Sequence, residues 1–151
     1  MKNKFLLLRT NEKNTNGRIY PDEVVREAVS NPEFQARMKS GLLYGTQGQT
    51  FDNFEEAGRI DITTASHILT NITFEGNDVY GEIQTLNTPA GRDMEKLLSQ
   101  NTQVELALRG IGDGKYKDGS FVVDSLYIIS FDWVTSSSTR KKEIEKWKKT
   151  T

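Results

Sequence analysis

Two stretches of alternating apolar residues, Ile68 to Phe74 and Val79 to Leu86, flank the tetrapeptide Glu75-Gly76-Asn77-Asp78. Gly and Asn tolerate positive φ, so this is a tight turn joining two antiparallel strands. A hairpin commits the chain to an antiparallel sheet, which other elements must extend and cover. Lys4 to Thr10 reads as a short buried strand, and Arg59 to Thr63, Val104 to Leu108 and Phe121 to Val134 supply more. A further short strand is expected within Gly41 to Gly48. Pro21 opens a helix with Asp22 and Glu23 in its first turn, and Val24, Val25, Ala28 and Val29 form its apolar face. Asn31-Pro32 breaks that helix, and Asn31 caps a second one to about Lys39, with Phe34 and Met38 on its buried side. Thr88 caps a third helix, with Pro89 at its first position and Met94, Leu97 and Leu98 as its apolar side. Gly110 to Gly119, rich in glycine and charge, reads as a loop. The order is strand, helices, several strands, helix, strands, which makes the chain α+β with a mainly antiparallel sheet.

The chain has 151 residues, enough for one domain with a real core. Residues 1–134 are expected to form it. Residues 135–151 are expected to be a hydroxyl-rich linker and a basic helical tail. A net charge of -1 gives no general pull towards nucleic acid or an anionic membrane. There is no cysteine, which excludes disulfides and thiolate metal sites. His67 is the single histidine, so a histidine-based metal cluster is not expected, and no cofactor is implied. The apolar run from Phe5 to Leu8 is too short for a signal core or a membrane span. In the tail, Ile144 and Trp147 lie three apart beside Lys148. They suit a solvated helix, an anchor on an acidic partner protein, or contact with DNA phosphates.

Four motifs stand in order along the chain: Asn16-Gly17-Arg18-Ile19-Tyr20-Pro21, Ser66-His67-Ile68-Leu69, Leu86-Asn87-Thr88-Pro89-Ala90-Gly91 and Leu106-Ala107-Leu108-Arg109-Gly110. Together, over about Asn16 to Asp132, they make the chain resemble the prohead maturation proteases of tailed phages. The resemblance implies a herpesvirus assemblin-like fold, an antiparallel β-barrel flanked by helices. It also implies a serine protease that trims scaffold and capsid proteins inside the assembling head.

The residues themselves depart from that chemistry. A serine protease needs a nucleophile, a base in hydrogen-bond reach and donors for the oxyanion. The family's histidine falls in a Gly-Glu-Leu-x-His-Pro pattern. Here the matching stretch is Gly41-Leu42-Leu43-Tyr44-Gly45-Thr46, with Gly45 at the histidine position. The family's serine stands two residues before Arg-Gly, and that position is Ala107. Arg109 and Gly110 match the family's oxyanion loop, and Asp132 matches its acidic position before the last strand. His67 is the remaining candidate base, and it reads rather as a structural residue of its strand. Ser66 is not expected to pair with it, because adjacent side chains on a strand point to opposite faces.

The expectation is a pseudoprotease: a phage head protein, virion or prohead, that binds capsid or scaffold proteins, with Gly45, Ala107, Arg109 and Asp132 around the former substrate groove. The alternatives are an active maturation protease using His67 and a displaced hydroxyl, and a phage-encoded binder of a host protein. Self-association is compatible with each.

Overall fold

The computed structural model describes residues 3–48, 58–100 and 104–135. The strands are β1 (Asn3–Arg9), β2 (Arg18–Ile19), β3 (Tyr44–Gly45), β4 (His67–Glu75), β5 (Asp78–Thr85), β6 (Val104–Lys117) and β7 (Ser120–Thr135). The helices are α1 (Asp22–Ser30), α2 (Pro32–Lys39) and α3 (Pro89–Ser99).

Four strands form one sheet in the order β1-β5-β4-β3, and three form another in the order β2-β7-β6. Pairing is antiparallel except between β2 and β7. The chain just after β3 stitches the sheets together. Trp133 N donates to Thr46 O at 3.0 Å, and Gly48 N donates to Trp133 O at 2.8 Å. The wall therefore runs β1-β5-β4-β3-β7-β6 and curls into a half-barrel. The seam between β1 and β6 is not bridged by any strand pairing among the described residues.

The expected hairpin is β4–β5, with Gly76 at φ +64° in its turn. The expected caps are in place as well. Asn31 Oδ1 accepts from Glu33 N at 2.9 Å, and Thr88 Oγ1 accepts from Gly91 N at 3.0 Å. Val25, Phe34, Leu43, Leu69, Val79 and Met94 are buried in one core with Leu106, Leu108, Phe131 and Trp133. Each such side chain contributes about 1.5–3 kcal/mol relative to exposure.

Two elements differ from expectation. Arg59 to Thr63 is not a strand; Ile62–Thr64 is a 3₁₀ turn. Asp61 Oδ1 accepts from Thr63 N at 2.9 Å and from Thr63 Oγ1 at 2.6 Å, and this local capping outcompetes the apolar alternation. Gly110 to Gly119 is not a loop either. β6 continues to Lys117, and only Asp118 and Gly119, both at positive φ, make the turn into β7. The glycines coincide with register shifts at Arg109/Gly110 and Asp113/Gly114, where bulges bend a long ribbon without ending it.

The retained motifs have local structural work. Asn14 Oδ1 accepts from Asn16 N and Arg18 N, each at 2.9 Å, which shapes the turn into β2. Tyr20 is buried just before α1. At Gly91 a Cβ would collide with the Leu86 carbonyl and sit 2.9 Å from Ser66 O. Glycine is therefore what lets α3 start against the strand ends.

Candidate functional site

β6 and β7 place Ala107 opposite Asp132, and Arg109 opposite Ser130. Side chains alternate across a strand, so these four share one face while Leu106, Leu108, Phe131 and Trp133 point to the core. On the other side of β7, β3 adds Gly45 and the residue after it, Thr46. The fold thus brings Gly45, Ala107, Arg109 and Asp132 into one neighbourhood, and all four are buried.

Asp132 is the centre of a closed polar network. Its Oδ2 accepts from Arg109 Nε at 2.7 Å and pairs with Arg109 Nη2 at 2.7 Å. Its Oδ1 accepts from Thr46 N and from Ser130 Oγ, each at 3.0 Å. Arg109 completes its own set by donating to Arg59 O and to Thr46 Oγ1, each at 2.9 Å. Side-chain exposure is 1% for Arg109 and 0% for Asp132, and a pair this buried persists only when its remaining hydrogen bonds are made. Asp132 therefore holds an arginine, not an imidazole. Arg109 and Gly110 lie inside β6 at a register shift, rather than in the loop expected for them.

His67 lies across from Gly45 in the β3–β4 pair. Its Nε2 is 2.8 Å from Phe131 O, and its Nδ1 is 2.8 Å from Ser66 Oγ. A carbonyl only accepts, so Nε2 carries the proton and the Nδ1 lone pair takes the Ser66 hydroxyl. Burial pushes the His67 pKa below its ordinary value, outweighing the upward pull of the Phe131 carbonyl and of Asp132. The contact with Ser66 corrects the alternation argument. Ser66 precedes β4, so the rule for regular strands does not govern it.

Gly45 is tightly enclosed. A Cβ there would fall into the His67 imidazole at Nε2 and lie 2.6 Å from Phe131 O. The second contact is backbone, which side-chain repacking cannot relieve. Position 45 thus has no room for any side chain, because β3, β4 and β7 converge on it.

A different part of the molecule is open. A cavity of about 430 Å³ lies between β1 and β6, lined by Phe5–Arg9, residues 12–16, Tyr20 and Val104–Leu108. Ala107 is thus at the border between the sealed network and this cavity.

The sequence pointed to Gly45, Ala107, Arg109 and Asp132, and the fold assembles them. It missed Thr46 and Ser130; the i, i+2 spacing of Ser130 and Asp132 on a strand was the available signal. Ile144, Trp147 and Lys148 lie outside the described residues, as does most of the acidic loop from Thr50 to Gly58. Among the described residues no group of three or more His, Cys, Asp or Glu side chains is arranged to hold a metal. No described helix is long and apolar enough to cross a membrane.

The chain shares its fold with the bacteriophage T4 capsid assembly protease, gp21. The TM-score is 0.78 at 20% identity, over 90% of this chain and 82% of that one. No curated protein matches the sequence. The model of the Peptidase S80 family matches residues 9–148, nearly the whole chain. The chain is a member of the Peptidase S80 family.

Proposed function

We propose that this protein is a catalytically inactive Peptidase S80 member that serves a phage head as a structural or assembly component, binding capsid or scaffold proteins. The observation that carries the reading is the enclosure of Gly45. The family's base position holds no base here, and its space is taken by the His67 ring and the Phe131 carbonyl. Two further features agree with it. Ala107 offers no nucleophile, and the Asp132 oxygens are occupied by Arg109, Thr46 and Ser130. Loss of both reacting groups leaves only what binding contributes to rate. Retention of the fold without its chemistry fits a binding role.

The test has two parts. Purified protein is treated with a fluorophosphonate and weighed intact, and mature particles are analysed by quantitative mass spectrometry. The reading expects no adduct and many full-length copies per particle. Stoichiometric labelling, or presence only as processed fragments, contradicts it.

One observation favours a second reading, an active protease. Ser66 and His67 form a hydroxyl–imidazole pair of the correct protonation pattern. Its burial counts against it, since Ser66 is 0% and His67 1% exposed and a substrate carbonyl has no approach. A fluorophosphonate adduct on Ser66, lost in His67→Ala, would establish this alternative. A host target is the third possibility, and it is tested by pull-down from uninfected host lysate against purified capsid chains.

A further inference from the structure

We infer that Arg37, on α2, is the positioning residue of the Asp132 network: its guanidinium holds a bulge in β7, and that bulge decides which face of the strand Ser130 and Asp132 occupy. Such a frame serves a silent site or a reactive one, so the role of Arg37 is independent of the function proposed above. Leu126 and Ile128 face the core, and a regular strand would continue that face with residues 130 and 132. Instead Phe131 and Trp133 face the core, and Ser130 and Asp132 join the polar network. The phase changes at Ile129. Arg109 pairs with Ser130 and Gly110 with Ile128, so Ile129 is an extra residue with no partner on β6. Were Ile129 taken into the ladder, the pairing would slip by one, and Asp132 would fall opposite Leu106 on the core side.

A bulge takes main-chain groups out of the ladder, and here one side chain takes up two carbonyls at it. Arg37 Nη1 donates to Ile129 O at 3.0 Å, and Nη2 donates to Ile128 O at 2.9 Å. Ile128 and Ile129 are buried, so their carbonyls need such a donor. A planar guanidinium fork holds both at once, which a lysine ammonium does not match. The fork is itself held in place. Its central carbon lies 5.7 Å from the centre of the Phe34 ring and 5.8 Å from that of Tyr127. Glu33 Oε1, on the same face of α2, accepts from the Tyr127 hydroxyl at 2.6 Å and lies 3.8 Å from Arg37 Nε, which makes no hydrogen bond. α2 thus grips β7 from Tyr127 to Ile129. Beyond α2 the chain turns back, with Leu42 N donating to Arg37 O at 2.9 Å, and runs into β3 and Thr46, whose N–H reaches Asp132. The helix that fixes the bulge therefore also delivers Thr46 to the network.

The test reads the Arg109 Nε–H, which donates to Asp132 in the interior, by NMR hydrogen exchange on the full chain isotope-labelled at arginine. Arg37→Met keeps the length of the side chain and removes both donors. Val79→Ala, in the core of the other sheet, controls for destabilisation as such, and denaturant brings the two variants to the same global stability. At that point the Arg109 Nε–H should exchange about tenfold faster or more in Arg37→Met than in Val79→Ala. Amides of the β4–β5 hairpin should exchange alike in both. Arg37→Lys, with one ammonium in place of the fork, should also exchange faster than wild type at Arg109, and it carries the test if Arg37→Met does not fold. Two results overturn this role: Arg109 exchanges no faster in Arg37→Met than in Val79→Ala, or it exchanges at the wild-type rate in Arg37→Lys. Either would mean that the bidentate hold on the bulge does not set the network.

Discussion

The convergence of β3, β4 and β7 and the seam between β1 and β6 lie on either side of Ala107, and they are built on opposite principles. At the convergence Asp132 makes four contacts and both nitrogens of His67 are partnered, and among the described residues there only the indole N–H of Trp133, on the core side of β7, is buried without one. At the seam an apolar side chain is exposed and a buried amide oxygen is unpartnered. A fully satisfied polar network is rigid and specific. The contrast teaches that one barrel can hold a buried, hydrogen-bonded polar network on one side and a cavity on the other.

The largest effect should come from breaking the network. Asp132→Ala strands the Arg109 guanidinium in the interior, which typically costs about 3–5 kcal/mol. Chemical denaturation should show it, and a loss near zero would mean that the pair is not buried in solution.

Gly45→Ala should come next. Its Cβ meets backbone at Phe131, so β3 and β7 must move apart, and overpacking of this kind costs about 1–3 kcal/mol. For the same reason Ala107→Ser combined with Gly45→His should not restore cleavage of capsid or scaffold chains. Turnover by that double variant would show that the convergence is not sealed.

His67 adds a pH dependence. Its folded pKa is depressed by burial, so the unfolded chain binds the proton more readily. The associated stability is fully present above the ordinary histidine value of about 6.5 and is lost as pH falls below it towards the depressed folded value. Thermal melts from pH 8 downwards should show a decline beginning near that value that is absent in His67→Gln. A rising stability on acidification would contradict the assigned neutral ring.

The smallest stability effect belongs to the seam. Leu6→Lys replaces a partly exposed side chain and should change stability by less than about 0.5 kcal/mol. A large destabilisation would mean that Leu6 belongs to the core.

Much of this was legible before the structure. The β4–β5 hairpin, the Asn31 and Thr88 caps and the Pro21 helix start are local features, set by residues that touch each other within a turn. The sequence motif that picks out Ala107 also holds Arg109, and the fold sets Ala107 opposite Asp132. What was not legible depends on distant residues meeting. The reach of β6 through Gly110–Gly114 follows from its partner β7, because glycine alone signals a loop. The enclosure of Gly45 needs His67 and Phe131 from two other strands. Ser66 misled because strand alternation was applied one residue before the strand begins. The packing of β1 beside β6 was invisible because the two strands are about a hundred residues apart and share no ladder.

The most direct test is to mix the purified chain with the phage's capsid and scaffold proteins, isolate what co-sediments, and weigh every component intact. The account predicts a stable complex in which all chains keep their full mass. Truncated capsid or scaffold chains that appear with the wild-type protein would contradict it.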